Sequence, residues 1–133
     1  MNHGTNGVVI NGDGYSLKDS VVRATGCIGV QATGGNTRTL SGGGNTIQNN
    51  TVSSNALWKR TYMAGISWGG FNNSYIGNHV SDGPHNCFLG GGNTWPAVEC
   101  LHEGNTVENC AFEASDTGAF YSCGQVNPNP SQQ

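Results

Sequence analysis

Charged side chains are scarce in this sequence. Only 10% of the 133 residues are Asp, Glu, Lys or Arg, against roughly 25% in an average globular domain. Five residues are basic and the formal net charge is -3. A phosphate backbone is followed by a surface rich in Lys and Arg, so we expect no nucleic-acid partner.

Long apolar runs and helical patterns are missing as well. No segment is apolar for long enough to cross a bilayer, and no basic-then-apolar leader opens the chain, so we expect neither a membrane partner nor a signal peptide. Apolar residues do not recur at i, i+3, i+4 and i+7, and Gly and Asn interrupt every window of helical length. The sequence therefore predicts an all-β protein.

An internal repeat is present instead, in a chain with 22 Gly and 17 Asn. Three segments can be laid over one another: NTIQNNTV (45–52), NSYIGNHV (73–80) and NTVENCAF (105–112). An Asn recurs at the fifth or sixth position of each segment, so we expect Asn50, Asn78 and Asn109 to share one slot, with Ser20 in the same slot of a weaker first copy. Stacked Asn side chains can donate to the coil on one side and accept from the other, which favours a structural role for them.

A second set of apolar runs alternates with these segments, and several are closed by glycine. They are VVI (8–10), CIGV (27–30), GISW (65–68), CFL (87–89) and AFY (119–121). Each repeat then supplies one strand around the Asn50 slot, a corner, a second strand and a glycine-rich return. We expect a parallel β-helix of about four coils over residues 1–125, followed by a flexible tail, 126–133. No cap is visible, so the solenoid is expected to continue in a longer chain or to stack end to end on copies of itself.

The five cysteines show no metal-ligand spacing, so we expect no metal and no cofactor. Cys87 and Cys123 stand at similar places on successive second strands and are the predicted disulfide pair in an oxidising compartment. Two sequons, at Asn49 and Asn72, fit a secreted protein. We therefore expect an extracellular or secretory location.

Charged and aromatic residues gather in three clusters, each after the first strand of its repeat. The clusters are Trp58–Tyr62, Asp82–His85 and Glu113–Gly118. Stacking of the coils brings such loops to one edge of a solenoid, where binding grooves are usually found.

Four strings in the chain resemble successive coils of right-handed parallel β-helix proteins of the pectate-lyase-like superfamily, most closely its β-helix glycoside hydrolase branch. They are GGNTRTL (34–40), KRTYMAGI (59–66), SDGPHNCFLGGGN (81–93) and EASDTGAFY (113–121). The resemblance runs from about residue 34 to 124 and matches only a central run of coils of those longer proteins. It implies a right-handed solenoid that binds, and cleaves, a polysaccharide or other glycan.

Hydrolysis of a glycosidic bond needs two carboxyl groups, one acid and one base or nucleophile, about 5 to 9.5 Å apart. Asp82 and Asp116 follow the first strand of adjacent coils and are the candidate pair. Glu113 is expected to raise the pKa of Asp116 by like-charge repulsion, and His85 to carry a proton or hold a hydroxyl. The residues expected to hold the sugar are Arg38, Trp58, Lys59, Arg60, Tyr62 and Trp95.

Other interpretations of the same residues stay open. Asp82 can cap the turn at Gly83, and Asp116 can do the same before Gly118. A polysaccharide lyase would use Arg38, Lys59 or Arg60 against a uronate, although the sequence shows no acidic run typical of a calcium site. A non-catalytic module that binds a glycan, or stacks on itself as a structural element, is the third alternative. Whether the two aspartates converge on an open groove distinguishes these functions.

Overall fold

The structure, a computed structural model, describes residues 4–91 and 96–122. Those residues form strands and turns without any helix, so none of them belongs to a helix that could cross a membrane. The predicted tail, 126–133, lies outside the described residues. The strands, in chain order, are β1 (Val8–Asn11), β2 (Ser16–Lys18), β3 (Val21–Arg23), β4 (Val30–Thr33), β5 (Gly35–Asn36), β6 (Ser41–Gly42), β7 (Thr46–Gln48), β8 (Thr51–Ser53), β9 (Ile66–Trp68), β10 (Gly70–Phe71), β11 (Ser74–Ile76), β12 (His79–Gly83), β13 (Phe88–Gly90), β14 (Ala97–Val98), β15 (Leu101–Glu103), β16 (Thr106–Cys110) and β17 (Phe120–Ser122).

Three parallel sheets form the walls of a β-solenoid of about four turns. Face A has the strand order β1-β4-β9-β13-β17, face B β2-β7-β11-β15, and face C β3-β8-β12-β16. Every coil passes through A, B and C in turn, and each strand pairs with its equivalent one coil away. The predicted all-β solenoid of stacked parallel strands is confirmed.

The apolar runs of the sequence line the interior in register. Val8, Val30, Ile66, Phe88 and Phe120 are successive partners on face A. Equivalent columns run through Ile47 and Tyr75 on face B and through Val52 and Val80 on face C, and these four side chains are fully buried. Because a strand alternates its side chains between two faces, each coil contributes a few apolar residues to one continuous core.

Each segment predicted as one strand is two short strands separated by a bend. At the bend between faces B and C, the backbone is left-handed at four equivalent positions, Asp19, Asn49, Gly77 and Gly104 (φ 51° to 61°). Asp, Asn and Gly are the residues that adopt this conformation most readily. The sequence pattern therefore specifies three faces rather than two.

The residue after each bend builds an internal ladder of hydrogen bonds. The backbone N–H of Ser20 donates to Oδ1 of Asn50, that of Asn50 to Oδ1 of Asn78, and that of Asn78 to Oδ1 of Asn105, at 2.9 to 3.1 Å. Asn50 and Asn78 are 1% exposed. The ladder confirms the structural role expected of these Asn residues, and it includes Ser20 as predicted.

The third repeat was aligned wrongly. Asn105, and not Asn109, follows Asn78 in the ladder, and the exposed Asn109 lies at the end of face C instead. Residues 100–107 therefore align with 73–80, since Leu101 pairs with Ser74. The error arose because Cys100 stands where the two preceding coils have Asn.

The predicted disulfide is also wrong. Cys87 is bonded to Cys110, with the two Cα atoms 5.7 Å apart, and Cys123 lies outside the described residues. The register explains this pairing: Cys110 is opposite Gly83 at the end of face C, close to the loop that leads to Cys87. Among the described residues, Cys27 and Cys100 are free.

Candidate functional site

Four loops lead from face C of one coil to face A of the next, and they lie along one edge of the solenoid. They comprise residues 24–29, 54–65, 84–87 and 111–119. We call this the C–A edge. Two of the three clusters singled out in the sequence, Trp58–Tyr62 and Glu113–Gly118, lie within these loops. Of the third cluster, Pro84 and His85 lie in the third loop, whereas Asp82 and Gly83 end strand β12.

The second loop runs along this edge, parallel to the solenoid axis. At one end the Trp58 N–H donates to the carbonyl of Gly26, in the first loop, at 3.0 Å. Further along, the Arg60 guanidinium makes two hydrogen bonds with the carboxylate of Glu113, in the fourth loop. We call residues 57–62 the strap, because they connect the first loop to the fourth and pass over the third.

The Asp116 carboxylate accepts hydrogen bonds from two tyrosine hydroxyls. Tyr62, on the strap, donates to one carboxylate oxygen at 2.7 Å, and Tyr121, on β17, donates to the other at 2.9 Å. Both bonds favour the charged carboxylate, so they lower the pKa of Asp116. Glu113 was expected to raise this pKa, and that expectation is wrong. The Glu113 carboxylate is engaged by Arg60, whose hydrogen bonds lower the pKa of Glu113 as well.

His85 lies in the third loop, beneath the strap. Its side chain is 1% exposed, and its ring centroid is 4.8 Å from that of Tyr62. Burial lowers the pKa of His85, and the nearby charge of Asp116 opposes this shift in part. Nδ1 is buried and has no hydrogen-bond partner within the described ranges. A neutral imidazole next to an ionised carboxylate is thus enclosed at the centre of the edge.

Asp82 belongs to a different local structure. It has φ 56° at the end of face C, in the left-handed position shared with Ala24, Ser54 and Asn109. The Asn109 amide donates to one carboxylate oxygen of Asp82 at 2.8 Å, and the Ser81 hydroxyl to the other at 3.1 Å. No described contact joins Asp82 to Asp116. The catalytic pairing of these two aspartates therefore stays a prediction.

The residues expected to hold the sugar are divided between two places. Trp58, Lys59, Arg60 and Tyr62 all lie on the strap, and Trp58 is 73% exposed. Arg38 does not reach this edge, because residues 35–42 form an antiparallel hairpin, β5–β6, between faces A and B. Trp95 lies outside the described residues.

Tyr121 is the member of the cluster that the sequence interpretation missed. The run AFY was identified only as an apolar second strand, but alternation along β17 sets Tyr121 on the opposite side from its neighbour Phe120, which stacks with Phe88 at 5.3 Å. The sequence signal for this contact was the short spacing between Asp116, in the loop, and Tyr121, at an outward-facing position of the strand that follows.

The strap and the fourth loop together form a polar surface patch whose positive and negative charges nearly balance. Arg60 is neutralised by Glu113, Asp116 stays ionised, and exposed aromatic rings flank both. Throughout residues 4–91 and 96–122, no group of three His, Cys, Asp or Glu side chains is arranged to hold a metal ion.

Comparison with known proteins found no matching family model, no matching curated protein and no matching solved structure. Support for the parallel β-solenoid therefore comes from the strand pairing of the structure itself. The resemblance to the pectate-lyase-like superfamily and its glycoside hydrolase branch stays a prediction from the four strings.

Proposed function

We propose that the protein binds a polysaccharide along the C–A edge and hydrolyses it, with Asp116 as the ionised carboxylate. The observation that carries this proposal is the convergence of three successive loops on one patch: Arg60 with Glu113, and Tyr62 with Asp116 above His85. Side chains this far apart in sequence meet on a rigid stack of strands, as preorganised binding sites require.

The shape of the edge suits an extended chain of sugars. From the first loop to the fourth is three strand spacings of about 4.8 Å, so the patch is roughly 15 Å long. Trp58 and Tyr62 are 73% and 49% exposed and provide apolar ring faces along the strap. Sugar rings stack on such faces, while Asp116 accepts hydrogen bonds from hydroxyls.

The charge of the edge favours a neutral glycan over a uronate. Bidentate recognition of a uronate would need the Arg60 guanidinium, which is already bound by Glu113, so that Lys59 is the other cation of the strap. Removing Arg60 from Glu113 would leave a carboxylate unpaired. The lyase alternative therefore has less support than the hydrolase.

In a hydrolytic mechanism, the lowered pKa of Asp116 suits a base or nucleophile and not a proton donor. Glu113 has a lowered pKa too. The acid in this proposal is Asp82, the other member of the predicted pair, and that role rests on the sequence prediction alone. His85 would position Asp116 through the shared contact with Tyr62. A non-catalytic glycan-binding module is the second candidate, favoured by one observation: both carboxylates that contact the strap are held ionised, whereas hydrolysis needs one that is protonated.

The proposed location and assembly have support of their own. A disulfide such as Cys87–Cys110 is typical of oxidising compartments, which fits an extracellular protein. Large apolar side chains in the last described coil are exposed, among them Leu101 (46%) and Phe120 (47%). Such a surface is compatible with the proposed end-to-end association.

The test compares three matched variants on a panel of neutral and acidic polysaccharides. Asp82→Asn and Asp116→Asn change the candidate pair, and Asp19→Asn makes the same change at an exposed left-handed position on the opposite bend. Reducing ends report hydrolysis, and absorbance of an unsaturated product reports elimination. Hydrolysis predicts release from neutral chains that both candidate variants lose and Asp19→Asn keeps. An unsaturated product would instead identify a lyase, and retained binding without product a non-catalytic module.

A further inference from the structure

A separate cleft of about 230 Å³ opens at the corner between faces A and B. It lies where β1 and β4 end, between the β5–β6 hairpin and strand β10. The residues that line it include Asn11, Thr33, Gly35, Thr37, Gly70 and Pro96. None of them belongs to the C–A edge.

The walls of this cleft are fixed by the backbone. Gly70 has φ +86°, and a Cβ there would lie 1.9 Å from the carbonyl oxygen of Gly34, so only glycine lets the two segments approach so closely. The base of the hairpin is held by the Asp13 carboxylate, which accepts the Gly35 N–H at 2.6 Å. Asn36 closes the hairpin turn by accepting two backbone N–H groups at 2.9 and 3.1 Å. The cleft is therefore preformed.

The chemistry of the lining is polar and uncharged. Thr33 and Thr37 each carry a hydroxyl, Asn11 carries an amide, and Pro96 presents an apolar ring. The contact between the Thr33 hydroxyl and the Asn11 amide oxygen is long, at 3.5 Å, which leaves both groups able to bond a ligand. Among the described residues, neither a carboxylate nor a cation is in the lining, and the nearby Asp13 carboxylate is engaged by the Gly35 N–H.

The size limits the ligand further. Pockets for drug-sized molecules have volumes of about 300 to 1,000 Å³, and this cleft is smaller. A single ring with several hydroxyl groups and an apolar C–H face matches both the volume and the mixture of hydroxyl, amide and proline surface.

We propose that the A–B cleft is a binding site for one neutral sugar unit, with Thr33, Thr37 and Asn11 bonding its hydroxyls and Pro96 contacting its C–H face. The proposal is independent of the C–A edge, and it holds whether or not that edge binds or cleaves a glycan.

The experiment is a titration of the full chain with glucose, galactose, mannose and galacturonate, followed by amide NMR spectra. The amide signals of Gly35 and Gly70 report the cleft. Thr33→Val removes a hydroxyl at constant shape, Thr39→Val makes the same change on the exposed hairpin outside the lining, and Asp116→Asn alters the C–A edge. We expect a neutral sugar to shift the cleft glycines, with affinity about tenfold weaker in Thr33→Val, because the loss of one hydrogen bond costs about 1.4 kcal/mol. Thr39→Val should bind as the unchanged chain does, and Asp116→Asn should leave the sugar-induced shifts of Gly35 and Gly70 unchanged.

Three results would overturn the proposal. The first is that sugars shift only signals of the C–A edge, and that these shifts are lost in Asp116→Asn. The second is that galacturonate shifts Gly35 and Gly70 with the same affinity as the neutral sugars. The third is that neither glycine signal shifts with any of the four sugars. The spectra themselves report whether each variant is folded.

Discussion

Replacing Asn78 with alanine removes the centre of the internal Asn ladder. The Asn78 oxygen accepts the Asn50 backbone N–H at 3.1 Å and the Asn50 side-chain amide at 3.0 Å. Its own amide donates to the carbonyl of Ile47 at 2.8 Å. Both Asn side chains are 1% exposed, so water does not readily replace these bonds. The substitution deprives several buried groups of a partner at once.

The expected loss is large for a chain of this size. A buried polar group left without its partner costs about 1 to 3 kcal/mol, so the lost bonds together cost about 3 kcal/mol or more. Folded domains are stable by only about 5 to 15 kcal/mol. We expect the free energy of unfolding of Asn78→Ala to fall by about 3 kcal/mol, and its Tm by roughly 10 °C.

Urea and thermal unfolding followed by circular dichroism measure this change. Asn109→Gly is the matched control, because Asn109 is exposed and left-handed (φ 50°), a conformation that glycine adopts freely. It should change stability by no more than about 0.5 kcal/mol, as surface substitutions usually do. If Asn78→Ala were as mild as this control, or if Asn109→Gly were as damaging as Asn78→Ala, the ladder and its register would be refuted.

Three further predictions concern stability. Reducing the Cys87–Cys110 bond should lower the free energy of unfolding by about 3 kcal/mol, because it releases a loop of 23 residues; thermal unfolding with and without reductant measures this. Gly70→Ala should destabilise strongly, since its Cβ meets a carbonyl at 1.9 Å, whereas Gly44→Ala, at φ +63° in open space, should cost only about 1 to 2 kcal/mol. His102, whose ring stacks among aromatic side chains, has a pKa lowered by burial to about 4. The unfolded chain therefore binds a proton that the folded chain does not, and stability should fall as pH decreases from about 6.5 to about 4; Tm against pH, with His102→Phe as the variant that lacks this group, measures it.

Each of these predictions has a contrary outcome. A Tm unchanged by reductant would mean that the disulfide constrains little. Equal losses in the two glycine variants would remove the steric argument at Gly70. An identical dependence of Tm on pH in His102→Phe would assign the acid sensitivity to other groups.

The solenoid could be predicted because its signal is repeated. Val8, Val30, Ile66 and Phe88 recur at the same place in each coil, and a pairing register follows directly from such a column. The third repeat was misplaced where one position breaks the pattern, at Cys100. A repeat identified by a single residue type is lost when that residue is replaced.

The contacts of the candidate site were less accessible to sequence reasoning. That the loops share an edge follows from the stacking. Arg60 reaches Glu113 because the strap passes over the third loop. No pattern in the sequence predicts the path of the strap. Arg38 was misplaced for the related reason that a short hairpin, β5–β6, turns it toward another corner. Side-chain contacts between irregular loops depend on the whole fold and not on local spacing.

The measurement that tests the central claim most directly is affinity electrophoresis of the folded chain through gels that contain neutral or acidic polysaccharides. The account predicts that a neutral polysaccharide retards the chain, that Trp58→Ala and Tyr62→Ala weaken the retardation, and that Arg38→Ala, on the other corner, leaves it unchanged. If no neutral polysaccharide retarded the folded chain, or if Arg38→Ala weakened the retardation as much as the two strap variants, the C–A edge would not be the glycan-binding surface.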